Sequence, residues 1–156
     1  MKLKDIRKEI GITQKQAAKL IGVSRRTYLR YENESGLEDN RQYKYMCQVL
    51  SEFGKIDEES GVLSIEKIKD ICSKVFMKYD VEFCYLFGSY AKGKATETSD
   101  VDLLVNGSIK SFEFYELIET LREELRKKVD LLNTNQLYKN QVLLEEILKD
   151  GVKIYG

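Results

Sequence analysis

Asp100 and Asp102, one residue apart in Ser-Asp-Val-Asp-Leu-Leu-Val, are the side chains of this sequence best placed to do chemistry. In an extended chain, residues two apart project from the same face, so the two carboxylates would emerge side by side. Val101-Asp102-Leu103-Leu104-Val105 has the apolar content of a strand, and so does Val129-Asp130-Leu131-Leu132, which carries a third acid between apolar neighbours. If the two strands pair, Asp130 joins the first two carboxylates; otherwise it is free to pair with Lys127 or Lys128. Three converging carboxylates make an all-oxygen site for hard divalent cations. The chain has no histidine, so imidazole catalysis and imidazole ligation are both excluded, and oxygen donors favour Mg²⁺, with Mn²⁺ as a substitute.

Upstream lies Gly88-Ser89, directly after the apolar run Phe83-Cys84-Tyr85-Leu86-Phe87. A glycine there lets the backbone approach a phosphate, and the Ser89 hydroxyl can donate to it. A short helix is expected to start near Tyr90 with its N-terminus towards the phosphates.

Gly-Ser, ten residues, then Asp-x-Asp is the pattern of the polymerase-β-like nucleotidyltransferases, and the Ser-Asp-x-Asp-Leu-Leu-Val form resembles their minimal branch. The resemblance runs from about residue 64 to the closing Gly-Val-Lys-Ile-Tyr. It implies two Mg²⁺ ions at Asp100, Asp102 and Asp130, nucleotide contacts at Gly88, Ser89 and Lys92, and an NTP as donor. Asp130 is also the candidate proton acceptor. Lys92 stands where this branch often carries arginine, so a cation is kept but the bidentate geometry is lost. Stand-alone minimal nucleotidyltransferases resemble the antitoxins of pairs whose toxin is a HEPN-domain ribonuclease. In that family the antitoxin adenylylates a tyrosine of the toxin with ATP. The HEPN fingerprint needs a histidine, so the resemblance casts this chain as the modifier. Two other readings stay open: a regulator whose transferase half only senses nucleotide or grips a partner, and a transferase acting on a small molecule such as an aminoglycoside.

A second pattern occupies the first third of the chain. Thr13-Gln14, Ala18, Gly22-Val23-Ser24, Thr27-Tyr28 and Tyr31-Glu32 are spaced as in the Cro/C1-type, Xre-like helix-turn-helix of phage repressors. The small Ala18 allows two helices to cross closely, Gly22 takes the turn and Val23 plugs the gap. Ala17 stands where a larger apolar residue is usual. The resemblance places Ser24, Arg25 and Arg26 at the end of the helix that enters the major groove, Gln14 near a phosphate and Arg30 against the DNA backbone. Operator DNA is the implied partner, with a homodimer as the usual assembly of such modules.

Elements able to position these groups follow from periodicity. Helical spacing recurs over Leu3, Ile6 and Ile10; from Thr13, with Gln16 as a capping-box partner; from Ser24 to about Asn33; and from about Asp39 to Phe53. Later helices carry Ile65, Ile68, Cys72 and Val75; Phe114, Leu117, Leu121 and Leu125; and Leu137, Leu144, Ile147 and Leu148. The expected fold is α+β: an all-α helix-turn-helix domain over residues 1–53, a polar linker over 54–63, and an α/β nucleotidyltransferase domain over 64–156 with a mixed sheet of three to four strands flanked by helices. Charge divides likewise. Residues 1–50 hold 11 Lys/Arg against 6 Asp/Glu and residues 51–156 hold 15 against 20, a basic front and an acidic back. Three cysteines without metal-like spacing, no signal-peptide core and no apolar run of membrane length predict a cytoplasmic protein with reduced thiols and no membrane partner.

Overall fold

The computed structural model describes all residues, Met1–Gly156, as two compact units, Met1–Lys55 and Ile56–Gly156. The first unit is all helical: α1 Leu3–Ile10, α2 Gln14–Ile21, α3 Arg25–Asn33 and α4 Arg41–Gly54. Its local chemistry is that expected. The Thr13 hydroxyl accepts from the Gln16 amide at 3.1 Å while the Gln16 side chain accepts from the Thr13 amide at 2.8 Å, closing a reciprocal cap on α2. Gly22 ends α2 in the left-handed region at φ 85°, a conformation that a side chain would strain. Asn40 rather than Asp39 caps α4, its side chain accepting from the amides of Gln42 and Tyr43.

Leu3, Ile6, Ala17, Ala18, Ile21, Tyr28, Tyr43, Met46 and Leu50 form one core. Ala17 is completely buried within it. Beside this core lies an ion pair that periodicity does not announce. Arg7 clasps Glu32 with two parallel bonds, Nε to Oε2 and Nη2 to Oε1, each 2.9 Å, and Nη1 donates to the Ile12 carbonyl at 2.9 Å. The Glu32 side chain has no exposed surface. Burial alone would raise its pKa, but the hydrogen bonds led by Arg7 outweigh that and hold it below the usual range.

The second unit places a four-stranded sheet between helices. Its elements are α5 Ile65–Phe76, β1 Val81–Phe87, α6 Gly88–Ala91, β2 Val101–Gly107, α7 Ser111–Leu125, β3 Val129–Asn133, a 3-10 turn at Thr134–Leu137, α8 Gln141–Asp150 and β4 Val152–Tyr155. Strand order is β3-β2-β1-β4. β1 runs antiparallel to β2 and to β4, whereas β2 and β3 are parallel, so the sheet is mixed. A parallel pair needs a crossover, and α7 supplies it. One face packs Val101, Leu103, Val105, Cys84, Leu86 and Leu131 against Ile68, Cys72, Val75 and Phe76 of α5 and Leu117, Leu121 and Leu125 of α7. The other face packs Phe87 and Leu104 against Leu137 and Ile147. Strand alternation puts Asp102 on the Leu104 side, facing α8 and away from the larger core.

Of the residues expected to form a linker, Gly54 closes α4, and those from Ile56 onward are held against the second unit. Ile56 and Leu63 pack into its larger core, and Glu58 pairs with Arg122 at 2.5 Å. Lys127, wholly buried, donates to the carbonyls of Ser60 at 3.1 Å and Glu97 at 2.6 Å. No helix is long and apolar enough to cross a membrane.

Candidate active site and helix-turn-helix surface

The register of β2 and β3 brings the acids together. Asp102 and Asp130 are directly paired across the parallel ladder, each flanked by apolar pairs, Val101 with Val129 and Leu103 with Leu131. Both side chains therefore leave the sheet on the same face. Asp100 sits immediately before β2, where Thr96 and Ser99 close a turn: the Thr96 amide donates to Ser99 Oγ at 2.8 Å and the Ser99 amide to the Thr96 carbonyl at 3.1 Å. Val101 then donates to the Lys128 carbonyl at 2.9 Å, extending the ladder back to the mouth of the site. Lys127 does not pair with Asp130, because its ammonium is buried among backbone carbonyls instead.

Gly88 ends β1 and opens α6 at φ 70°. The helix thus begins at Gly88, two residues earlier than the sequence suggests, because the positive φ turns the chain at once out of the strand. A Cβ on Gly88 would run into the carboxylate of Asp102. The glycine is accordingly required on two counts, backbone angle and space, and the second joins the Gly-Ser bend to the Asp-x-Asp strand. Ser89 follows half-buried, its carbonyl accepting from the Lys94 amide at 2.9 Å. Lys92, expected at the phosphates, here pairs its ammonium with Glu146 of α8 at 2.6 Å.

Asp102 is partly buried and surrounded by its own charge. Burial first, then Asp130, Asp100 and Glu146, push its pKa up to about 6. The acids are not drawn into a tight three-ligand cage. Asp102 and Asp130 share one face, all three offer only oxygen, and Asp102 is left short of positive charge, a donor set that fits a hard divalent cation. Asp100, Asp102 and Asp130 are the residues that would hold it.

In the first unit, Arg25 and Arg26 are the first two residues of α3 and are exposed. Ser24 caps that helix, accepting from the Thr27 amide at 3.1 Å and donating to Thr27 Oγ1 at 2.9 Å, so its hydroxyl serves its own chain. Gln14 opens α2 but turns inward, its amide donating to Glu32 at 3.3 Å. The Arg30 guanidinium lies 5.0 Å from the centre of the Tyr31 ring, a cation–π arrangement on the protein's own surface. Of the five residues expected to meet DNA, the two arginines at the helix start are thus the ones with no internal task in this arrangement.

Two roles escaped sequence reasoning: the pairing of Glu146 altogether, and the burial of Lys127, which the sequence offers only as a partner for Asp130. Glu146 is one acid among several on an amphipathic helix, and Lys127 is one of many lysines. Neither has a spacing that marks it. Only the docking of α8 and of the Ile56–Gly61 segment gives them partners.

Known proteins resemble the chain in both halves. A family model described as polymerase beta, nucleotidyltransferase matches residues 66–156, and a helix-turn-helix model matches residues 3–37. A provisionally assigned protein adenylyltransferase of Methanocaldococcus jannaschii is 39% identical over 99 residues, covering 58% of this chain and 98% of its own. The protein adenylyltransferase MntA of Thermococcus cleftensis is 37% identical over 83 residues, covering 49% of this chain and 84% of its own. A solved structure, provisionally described as a minimal nucleotidyltransferase, superposes with a TM-score of 0.50 at 23% identity, over 60% of this chain and 98% of that one, and shares the fold.

Proposed function

The chain belongs to the polymerase-beta nucleotidyltransferase family and carries a helix-turn-helix module ahead of that domain, and from this premise we propose that it is an antitoxin-type protein adenylyltransferase that also regulates its own operon. The observation that carries the catalytic half is the direct pairing of Asp102 with Asp130 on neighbouring parallel strands, with Gly88 fitted against the first of them. The names of the archaeal relatives support AMP as the group moved and a protein as acceptor. The partner proposed is a HEPN-domain toxin, and the acceptor a tyrosine hydroxyl on it.

In the proposed reaction the acceptor oxygen attacks the α-phosphorus of ATP. A new oxygen–phosphorus bond forms as the bond from that phosphorus to the pyrophosphate oxygen breaks, and the hydroxyl proton passes to Asp130. Asp130 suits this role because it is the exposed member of the pair, open to an incoming hydroxyl, whereas Asp102 is partly buried. Gly88 and Ser89 hold the bend against which the triphosphate lies, and Lys92 supplies positive charge at its edge. Two Mg²⁺ ions, or Mn²⁺, held by Asp100, Asp102 and Asp130 would offset the charge of the triphosphate and of the leaving pyrophosphate. The chain's own contribution is mostly position, since phosphoryl-type transfer asks for alignment and charge neutralisation more than for covalent help. In the first unit, Arg25 and Arg26 would read bases in the major groove of the operator.

The test is transfer of label. Full-length protein is incubated with ATP labelled at the α-phosphate, Mg²⁺ and the product of the neighbouring gene. Label should appear on that protein and disappear with Asp100→Asn plus Asp102→Asn. Absence of transfer, or transfer indifferent to those changes, removes the enzymatic reading, and label on a small molecule would replace the protein acceptor.

A further inference from the structure

Lys92, the candidate phosphate-binding cation, is paired with an acid of its own chain. Lys92 leaves the end of α6, four residues beyond the Gly88 bend, and its Nζ lies 2.6 Å from Oε1 of Glu146 on α8. Both side chains are about one-third exposed, 34% and 31%, so the pair is within reach of water and of an arriving solute. Glu146 also belongs to the set of acids acting on Asp102, which puts it near both the lysine and that carboxylate. Asp150, one turn further along α8, adds a weaker pull on the same lysine. A triphosphate entering this space meets a cation already neutralised and an additional negative charge.

Resting on the reading of this site as an ATP site, we propose that Glu146 is a positioning residue that limits nucleotide affinity, holding Lys92 in an ion pair that the triphosphate must displace. The pair is an exchange contact. When the phosphate oxygens arrive, Lys92 changes partner, and the partly exposed Glu146 is left to water. An exposed pair is weak enough to open under a ligand carrying several charges, and removing its acid both frees the lysine and lowers the repulsion on the incoming anion. The arrangement keeps the cation ordered at the cost of tight binding.

Isothermal titration of full-length protein with the α,β-methylene analogue of ATP, whose α–β linkage the transfer cannot break, and Mg²⁺ tests this without an acceptor. Glu146→Gln should bind the analogue about three- to tenfold more tightly than the wild type, the range expected for releasing one weak surface pair beside a polyanion. Glu145→Gln makes the same charge change on the same helix. Its side chain bonds Gln141 at 3.1 Å and not the site, so affinity should stay within about twofold. In a Lys92→Met background, itself weaker-binding, the gain from Glu146→Gln should shrink by at least half. Unchanged or weaker binding by Glu146→Gln, with Lys92→Met still impaired, overturns the role of Glu146 alone. An equal gain with and without Lys92 also overturns it. If Lys92→Met binds like the wild type, the phosphate role of Lys92 is wrong and the proposal falls with it. Circular dichroism of each variant should match the wild type, because glutamine is a good helix former at a partly exposed position.

Discussion

Replacing Asp102 with asparagine should make the second unit more stable at neutral pH while removing its chemistry. The carboxyl ionises near 3.8 in an unstructured chain and at about 6 in the folded protein, because burial and then Asp130, Asp100 and Glu146 oppose its charge. The sign follows from proton binding. Below about pH 3 the group is protonated in both states and costs nothing; as pH rises through 3.8 towards 6 the unfolded chain releases the proton first, so stability is lost across that window and stays lost above it. Two pKa units correspond to about 3 kcal/mol; a partly solvated group realises only part of that, so about 1–2 kcal/mol is expected. Asparagine keeps the shape without the charge. Urea unfolding of the full chain, followed through the amide resonances of residues 101–105 with EDTA present, reads the relevant strand. Asp102→Asn should exceed the wild type by that amount at about pH 7.5, and the gap should narrow through about pH 4 and close near about pH 3. Equal stability at neutral pH, or a gap just as wide in acid, would refute the electrostatic account of this site.

Gly88→Ala should cost about 1–3 kcal/mol and abolish label transfer, since a Cβ meets both an unfavourable φ of 70° and the Asp102 carboxylate; thermal unfolding and the transfer assay check the two effects separately. Glu32→Gln should destabilise the first unit by about 3 kcal/mol, because it leaves the Arg7 guanidinium without its buried counter-charge, and resonances from α1–α4 should report unfolding at lower urea than the wild type. Arg25→Ala and Arg26→Ala, by contrast, should leave that unit folded and each lose about 1–3 kcal/mol of preference for the operator over unrelated DNA. Gel-shift competition at fixed salt measures the loss, and operator binding by both variants at wild-type specificity would remove the groove assignment.

How far the sequence can be read depends on whether a feature is local. Caps and turns are local: Thr13 with Gln16, Ser24 before α3 and Gly22 at its positive φ are settled within a few residues, and each is found where its chemistry puts it. The apolar stretches around Asp102 and Asp130 likewise announce strands, and both acids are found within them. The start of α6 was legible only to within two residues, because the angle at Gly88 answers to Asp102 across the bend as well as to its own neighbours.

By itself the sequence determined the kinds of element, their order and the oxygen-only character of the site, since these rest on residue type and short-range periodicity. The tertiary structure decided which distant groups meet. The Asp102–Asp130 register, the Arg7–Glu32 clasp, the Lys92–Glu146 exchange contact and the burial of Lys127 under Ser60 and Glu97 each join residues far apart in the chain. Charged partners carry no periodic signature, because Coulomb attraction depends on distance in space and not along the chain; only when helices and strands have packed is it settled which acid faces which base.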